Sequence, residues 1–246
     1  MPPMIPTTPG QERHRSLGVM QPYFFPYIGY FQLIAAVDQF IIYDNIKYTK
    51  KGWINRNRLL QDGKDVLFSL PLKAGSDSLD IVERELATDF KPEKLLRQFR
   101  NAYGRAPFFA QTMPLVERIV LHDDQNLFNF LHHGLIATCQ HLGITTPIHV
   151  SSAVNIDHEL KSQDKVIALC KAMGASRYIN AIGGMDLYSG SVFNEHGIAL
   201  NFIRTAAFEY AQYGAPFVPS LSIVDVMMFN SLENIRQQVG QGYDLI

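Results

Sequence analysis

Residues 18–30 of the chain read GVMQPYFFPYIGY. The apolar start predicts a short strand over 17–20, and Pro22 and Pro26 predict a stiff loop that carries aromatic side chains. Residues 27–37 have apolar side chains on most faces of a helix, which predicts a buried helix. Ligands of α/β proteins bind where such loops leave a strand, although a loop of this kind can also simply pack the core. The expected binding residues are Gln21, Pro22, Tyr23, Tyr27, Gly29 and Tyr30.

A dense group of basic side chains follows in residues 44–58, DNIKYTKKGWINRNR. Five lysines and arginines against one aspartate give this stretch a formal charge of +4 (5 − 1), whereas the whole chain carries −1. Concentrated positive charge beside the start of a helix is typical of phosphate binding, with Trp53 or Tyr48 as a stacking surface. The alternative is a solvated hairpin held by salt bridges. The expected ligand contacts are Lys47, Lys50, Lys51, Arg56 and Arg58.

The second half of the chain alternates between strand and helix patterns. Strands are predicted in IHVSSAV, RYINAI and ALNFI, and helices at 164–173, in MDLYSGSVFNEHG and at 223–240. Together with the first strand and a second at 39–43, this alternation indicates right-handed crossovers between parallel strands. The sequence therefore predicts a Rossmann-like α/β fold, a parallel sheet with helices on both faces.

The organisation of the chain follows from its length of 246 residues, which suits one large domain. Residues 1–16 are rich in Pro and Thr and predict a flexible N-terminal leader, so that 17–246 form a single α/β domain. A helical pattern around 91–142, interrupted at Pro107 and Pro114, predicts a helical insertion. Two β-rich runs on either side of Asp62-Gly63 predict a hairpin.

Two further places carry residues that suit a ligand. Gly183-Gly184 follows a predicted strand and would expose backbone N–H groups, and Asp186 could hold a ribose hydroxyl or an amine. A plain tight turn explains the glycine pair equally well. The last predicted helix begins with Ser220, Ser222 and Asp225, which suit either a phosphate site or ordinary helix capping.

Composition and motifs exclude several classes. The near-neutral charge argues against a general duplex-DNA binder, and no run reaches the roughly 18 apolar residues of a membrane span. The first residues lack the apolar core of a secretory signal. The only two cysteines, Cys139 and Cys170, lie in apolar contexts and are expected to be reduced, which favours the cytoplasm. The eight histidines have no metal-binding spacing, so no metal site is predicted.

Four stretches together resemble the WbqC-like family of bacterial proteins. They are MQPYFFPYIGYFQLI, DNIKYTKKGWINRNRL, RYINAIGGMDLY and FVPSLSIVDVMMFN, and the resemblance runs from about residue 17 to the C-terminus. The resemblance implies a place among the genes of surface-polysaccharide (O-antigen, lipopolysaccharide) biosynthesis. A glycine or amino-acid transferase role has been suggested for a member of this family. No established catalytic residues come with the resemblance.

A more distant resemblance concerns the nucleotidyltransferases that carry an HxGH loop. Residues 24–30, FFPYIGY, are similar in shape to their F-x-P-x-H-x-G-H loop, but Tyr27 and Tyr30 stand where that pattern has its histidines. Pantothenate-synthetase-like enzymes use this scaffold to adenylate a carboxylate and pass it to an amine. The resemblance implies a nucleotidyltransferase-like sheet and ATP or another nucleotide with Mg²⁺ as the candidate cofactor. A neutral tyrosine cannot stabilise phosphate charge as a protonated histidine does.

The resulting hypothesis is a cytoplasmic transferase of a small acyl or aminoacyl group that uses a nucleotide or nucleotide sugar. Lysine and arginine side chains suffice for such chemistry, because it depends mainly on positioning and charge stabilisation. The expected catalytic residues are Tyr27, Tyr30, Lys50 and Arg56. Asp44 or Asp186 would hold an amine, a hydroxyl or Mg²⁺, and the remaining expected contacts are Asn45, Asn55 and Asn57.

The alternative is a non-catalytic accessory protein that binds a sugar nucleotide and delivers it to a glycosyltransferase. The two tyrosines in place of histidines favour it. A third reading is single-stranded RNA binding through the basic stretch with Tyr48 and Trp53, which predicts strongly salt-dependent affinity. The favoured partners are small molecules, without nucleic acid or membrane, and the sequence leaves open whether the protein is a homodimer.

Overall fold

The computed structural model describes residues 15–214 and 216–246. Strands β1 and β2 follow each other closely, β3 and β4 form a hairpin, and the other four lie in the second half of the chain. Their bounds are β1 Ser16–Met20, β2 Gln39–Ile42, β3 Arg56–Gln61, β4 Lys64–Ser69, β5 Ile148–Val150, β6 Arg177–Ala181, β7 Ala199–Thr205 and β8 Tyr243–Leu245.

Eight α-helices connect or cover these strands in the part of the chain that the structure describes. They are α1 Ile28–Ala35, α2 Pro92–Tyr103, α3 Phe109–Val120, α4 Leu127–Leu142, α5 Ser162–Ala172, α6 Gly190–Glu195, α7 Ile223–Phe229 and α8 Leu232–Gln241. None of the described helices is long and apolar enough to cross a membrane.

Six strands form the central sheet in the order β5-β2-β1-β6-β7-β8. All neighbours are parallel except β8, which runs antiparallel to β7. From β1 the chain moves outward to β2 on one side, and it later returns to β6 on the other side. The strand order therefore reverses between β1 and β6, the kind of place where α/β sheets bind ligands. This arrangement confirms the prediction of a Rossmann-like α/β fold.

The sheet is covered by helices on both faces because successive residues of each strand point to opposite sides. Leu17 and Val19 pack in one core with side chains of α5 and α6. Phe40 and Ile179 pack in the other, with side chains of α1, α4 and α7. Gly18 lies beside Phe40 and Ile179 in the registers of β1 with its two neighbours.

The hairpin of β3 and β4 turns where the sequence predicts it. Asp62 and Gly63 have φ angles of 51° and 72°, the paired positive values that a two-residue hairpin turn requires. Phe68 of β4 lies in the same core as α2, its ring centroid 4.9 Å from that of Phe99 and 5.6 Å from that of Phe24. The hairpin therefore packs against both the predicted helical segment and the loop after β1.

Four secondary-structure predictions need correction. Helix α3 continues through Pro114, because its buried side chains compensate for the lost backbone hydrogen bond. The predicted helix 223–240 is two helices, because Ser231 caps a second one by accepting a hydrogen bond from Asn234 N. The segment after Gly183-Gly184 forms a 3-10 turn and the short α6 in place of one helix. The predicted strand IHVSSAV ends at Val150, and Ser151–Ala153 form a 3-10 turn. In addition, strand β8 was not predicted.

The predicted leader falls almost entirely on residues 1–14, which lie outside the described residues. The helices α2, α3 and α4 occupy the segment predicted as a helical insertion. The division of the chain into a leader and one domain stays a prediction.

The packing of the hairpin predicts different costs for two neighbouring residues of β4. Phe68 is 2% exposed, whereas Leu67 is 54% exposed. We expect Phe68→Ala to lower the free energy of unfolding by about 3–5 kcal/mol, because it removes a ring from a closed aromatic cluster. The matched control Leu67→Ala should change it by less than about 0.5 kcal/mol. Urea denaturation of both variants measures the difference, and equal costs would contradict the packing described.

Candidate functional site

A cleft with a volume of about 490 Å³ opens at the carboxyl ends of β1 and β6, where the strand order reverses. Met20 and Gln21 line it from the end of β1, and Asn180 and Ala181 from the end of β6. Gly183 and Gly184 form part of its edge, as expected from the sequence. Its volume lies within the range of roughly 300–1,000 Å³ that is usual for small-molecule sites.

Aromatic side chains form most of the remaining wall. The aromatic residues that line the cleft are Tyr23, Tyr27, Tyr30, Tyr43, Trp53 and Tyr188. Gln21 Nε2 donates a hydrogen bond of 2.8 Å to the Tyr23 hydroxyl, and the Tyr30 hydroxyl donates one of 3.0 Å to Gln21 O. The rings of Tyr23 and Tyr30 lie 5.6 Å apart. One side of the cleft is therefore a fixed, hydrogen-bonded array.

Four tyrosines of this wall, Tyr23, Tyr30, Tyr43 and Tyr188, are uncharged at neutral pH. Burial raises the pKa of Tyr23, of Tyr43 and of Tyr188, and it raises that of Tyr30 well above its ordinary value. A buried phenol with a raised pKa is a poor general base near pH 7. Tyr30 also has its hydroxyl engaged with Gln21 O, so it offers little to a phosphate.

No lysine, arginine, aspartate or glutamate lines this cleft in the described parts of the chain. The sequence led us to expect a positively charged cavity, and this expectation is corrected: the cleft walls are neutral. Lys47, Lys50 and Lys51 are exposed on the surface, and Lys50 pairs with Asp77 at 2.7 Å. Lys50 and Asp77 are both largely exposed, so this pair contributes little to stability.

Arg56 and Arg58 lie near the cleft through their contact with Trp53. Their guanidinium carbons are 6.0 and 5.3 Å from the Trp53 ring centroid, within the range of cation–π contacts. Arg56 also donates to the carbonyls of Gly52 and Lys51. Arg58 pairs with Asp65 at 3.0 Å and donates to a carbonyl of the loop before α7. Positive charge therefore supports the Trp53 side of the cleft from outside its lining.

Trp53 reaches the cleft because the hairpin is tied to the loop after β1. Phe24 N donates a 3.0 Å hydrogen bond to Ile54 O. The buried Asn57 amide donates to Phe25 O at 2.8 Å and to Phe24 O at 3.2 Å. Phe25 has a φ angle of 45°, a strained value for a residue with a side chain, and these bonds hold it there.

The other polar residues of the basic stretch make internal bonds. Asn55 accepts from the Tyr48 hydroxyl and donates to Leu70 O, both at 2.8 Å, which fixes the start of the hairpin. Asn55 does not line the cleft. Pro22, another expected contact, is buried in the loop after β1 and does not line the cleft either.

A second polar cluster lies at the ends of β2 and β5, next to the cleft. Asp44 is buried and accepts a 2.9 Å hydrogen bond from Ser152 N. Asn45 accepts from the Ser151 hydroxyl and contacts Lys165 Nζ at 3.4 Å. Lys165 is 6% exposed, and its desolvation lowers its pKa. These groups satisfy one another behind Tyr43, whose ring centroid lies 5.7 Å from Lys165 Nζ.

The expected carboxylate sites are far less suited to Mg²⁺ than the sequence indicated. Asp44 is committed to Ser152, and Asp186 is exposed and absent from the cleft lining. In the described residues, no three His, Cys, Asp or Glu side chains come together as a metal site would require. The structure thus supplies no donor set for a metal at this cleft.

The residues at the start of α7 stabilise the fold. Ser222 caps the helix by accepting from Val224 N at 3.0 Å. Asp225 is fully buried and its Oδ2 accepts from the Tyr210 hydroxyl at 2.7 Å and from Gln212 Nε2 at 3.0 Å. Burial raises the pKa of Asp225, against the lowering effect of these bonds. Neither Ser222 nor Asp225 lines the cleft, and we leave both out of the binding set.

A second cavity of about 500 Å³ lies at the end of β7, and Tyr27 lines both cavities. The Tyr27 ring lies over Gly29, where a Cβ would clash with that ring and with the Thr205 hydroxyl. A side chain at position 29 would therefore displace Tyr27 and Thr205. Ser220, expected as a ligand contact, lines this second cavity and not the cleft.

Sequence reasoning missed three polar or aromatic residues of the cleft. Tyr43 is the residue after β2, directly before the predicted Asp44. Asn180 precedes Gly183-Gly184 and Tyr188 follows them. Their positions at strand ends and beside the glycine pair were the only signal in the sequence.

The sequence profile described as the WbqC-like protein family matches residues 21–237 of the chain. The Mycobacterium tuberculosis protein named "Uncharacterized protein Rv1507c" is 28% identical over 222 residues, which covers 88% of this chain and 94% of that protein. No solved structure is significantly similar to the chain.

The buried Asp225 predicts a contrast between two substitutions. Asp225→Ala leaves the Tyr210 hydroxyl and the Gln212 amide without an acceptor and should cost about 2–3 kcal/mol at pH 7. Asp225→Asn keeps an acceptor and removes a buried charge, so it should cost less than about 1 kcal/mol. Urea denaturation at pH 7 compares the two variants, and an equal cost would contradict the contacts.

The pH dependence of the stability difference between the wild type and Asp225→Asn tests the titration of Asp225. The pKa of Asp225 is higher in the folded than in the unfolded state, so the folded protein takes up the proton first as the pH falls. The stability of the wild type relative to Asp225→Asn should therefore increase as the pH falls through the folded pKa. A difference that stays constant from pH 7 downward would show that Asp225 does not titrate as described.

Proposed function

The chain belongs to the WbqC-like protein family, and from this membership and the neutral aromatic cleft we propose that it binds a nucleotide-activated sugar during the assembly of bacterial surface polysaccharide. The observation that carries the proposal is the composition of the cleft. It lies at the reversal of strand order, and its walls are tyrosines, Trp53 and the amides of Gln21 and Asn180. The polysaccharide context comes from the family resemblance.

Neutral walls select the neutral part of the ligand. A phosphate placed in this cleft would lose hydration without meeting a charged partner among the described lining residues, which is costly. The flat rings suit the face of a sugar or a nucleobase, and the side-chain amides can bond its hydroxyl or ring atoms. We therefore assign the sugar or nucleoside moiety to the cleft.

The phosphates belong at the Trp53 edge in this proposal. Arg56 and Arg58 already lie within 6.0 Å of the Trp53 ring centroid, and Arg56 bonds only backbone carbonyls. A guanidinium retains further N–H donors after two such bonds and can bind a phosphate oxygen. The exposed Lys47, Lys50 and Lys51 would attract the anionic ligand to this edge over a longer range.

Binding and delivery to another enzyme fit the site better than catalysis within it. The tyrosines proposed as catalytic groups have engaged hydroxyls or form walls, and Lys50 is paired with Asp77 in solvent. Both cysteines are free and buried, which supports a reducing compartment and hence the cytoplasm. The monomer or homodimer question stays open in this proposal.

Transfer of a small acyl or aminoacyl group onto the bound sugar nucleotide is the second candidate. One observation favours it: a second cavity of similar volume shares Tyr27 with the cleft, so that two ligands would lie side by side. A carrier protein has no need of such an arrangement. Release of pyrophosphate or AMP from ATP in the presence of amino acids would support this candidate.

Trp53 is the only tryptophan of the chain and lines the cleft, so its fluorescence reports directly on the proposed site. We expect a saturable change on titration with one or more UDP-, GDP-, dTDP- or CMP-linked sugars. The free sugar should bind at least about tenfold more weakly, because it lacks the contacts between phosphate and Arg56. Absence of a response to every nucleotide sugar, with the protein shown to be folded, would overturn the proposal.

Two pairs of variants test the location of the ligand. Tyr27→Ala should weaken binding, while Tyr213→Ala, at a similarly exposed tyrosine (41% against 39%) outside the cleft, should not. Arg56→Gln should weaken binding of the nucleotide sugar by about tenfold and leave free-sugar binding unchanged. Arg204→Gln, which removes a surface arginine paired with Asp244, is the matched control. Thermal unfolding confirms that each variant is folded.

A further inference from the structure

The cavity at the end of β7 has no part in the binding just proposed. Its volume of about 500 Å³ is close to that of the cleft, about 490 Å³. Tyr27 lines it as well as the cleft, and Thr205, the last residue of β7, is among its lining residues. Like the cleft, it therefore opens at the carboxyl edge of the sheet, where α/β proteins bind ligands.

The walls of this second cavity are held in place before any ligand binds. The Tyr210 ring lies 5.2 Å from that of Phe208 and 5.0 Å from that of Phe217. The Tyr210 hydroxyl is fixed by Asp225, and Gln212 accepts a 2.9 Å hydrogen bond from Val218 N across the loop. A preformed aromatic wall reduces the entropy lost on binding.

The charges around the second cavity exclude anionic ligands. No lysine, arginine or histidine lines it within residues 15–214 and 216–246, and its one acid, Glu209, makes no ion pair there. An anion bound there would lose hydration without meeting a cation among the lining side chains, which is unfavourable. The polar groups on offer are the Glu209 carboxylate and the hydroxyls of Thr205 and Ser220.

We infer that the second cavity is a subsite for an uncharged saccharide, which lies beside the nucleotide sugar with the Tyr27 ring between them. Its aromatic rings suit the apolar face of a sugar ring, and its carboxylate and hydroxyls suit the sugar hydroxyls. The inference rests on the proposed function, because it names the second ligand of that same site.

A small ammonium ligand is the competing occupant, since aromatic rings and a carboxylate also attract cations. Glu209 is exposed, and a charge pair in solvent contributes little. The broad aromatic wall, in contrast, gives its full benefit only to a ligand with an apolar face. These two facts favour the saccharide.

The test uses methyl NMR on the full chain labelled at alanine and valine. Ala206, Ala207 and Val226 line the second cavity, and Trp53 reports on the cleft. The probes are free glucose, galactose and N-acetylglucosamine, each with and without a saturating nucleotide sugar that changes the Trp53 fluorescence. We expect saturable shifts of these methyl signals with at least one sugar. With the cleft saturated by the nucleotide sugar, the added sugar should leave the Trp53 fluorescence unchanged.

Variants locate the effect. Phe208→Ala should weaken saccharide binding at least about fivefold, because it removes part of the stacking surface. Glu209→Gln should weaken it less, since an amide still accepts a hydrogen bond from a hydroxyl. Leu121→Ala, an exposed apolar residue that lines neither cavity, is the control and should leave the affinity unchanged.

The outcomes separate this inference from the proposed function. A nucleotide sugar that changes Trp53 fluorescence, combined with no sugar that shifts the methyl signals, would overturn the inference alone. The inference would also fail if methylammonium shifted those signals at lower concentration than every sugar, or if Phe208→Ala left the sugar affinity unchanged. No response of Trp53 to any nucleotide sugar would overturn the proposed function itself, and with it the pairing of the two ligands.

Discussion

The buried amide of Asn57 is the contact on which the rest of the site depends. It donates to the carbonyls of Phe24 and Phe25, so a strand of the hairpin is fixed to the loop that leaves the first strand of the sheet. Phe25 adopts a φ angle of 45° there, which costs free energy and persists only because surrounding contacts hold it. The same connection, extended by the bond from Phe24 N to Ile54 O, brings Trp53 to the cleft. Without it, one wall of the cleft and its arginine support would have no fixed position.

This connection shows that several residues of the polar stretch 44–58 hold the fold together, although the charge of the stretch suggests phosphate binding. Asn55 and Asn57 form hydrogen bonds to backbone carbonyls of other segments. The lysines are exposed to solvent, and Trp53 is the one residue of this stretch that lines the cleft. Arg56 and Arg58 support that ring from outside. Charge and cavity are thus adjacent but separate, which is a workable division for a ligand with a neutral ring system at one end and phosphates at the other. In the proposed complex the neutral part would be enclosed, and the charged part would stay hydrated at the edge.

The sequence predicts the fold well because alternating strand and helix patterns report directly on burial. It also predicts the aromatic side of the cleft, since Tyr23, Tyr27 and Tyr30 follow a strand that the pattern makes clear. It could not predict which way the cations point, because local charge density is the same for a lined pocket and for a solvated hairpin. Strand β8 escaped notice because three residues carry no periodicity, and its place is set by pairing with β7. Asp225 looked like a phosphate contact because an acid or hydroxyl at a helix start serves capping and binding alike.

The first loop resembles the HxGH pattern but has Tyr27 and Tyr30 at the positions of the two histidines, and the two residue types differ in chemistry. Histidines at such positions supply protons and positive charge to a phosphate. Here the Tyr30 hydroxyl donates to Gln21 O, and Tyr27 lies beside Gly29 and lines both cavities. A neutral ring that separates two binding spaces needs a flat, rigid side chain with low conformational entropy, and tyrosine meets this requirement. In our proposal, tyrosine at these two positions forms a partition between ligands and makes no phosphate contact, which agrees with the absence of charge in the described cleft lining. We therefore propose that this loop recognises uncharged rings on both sides of Tyr27.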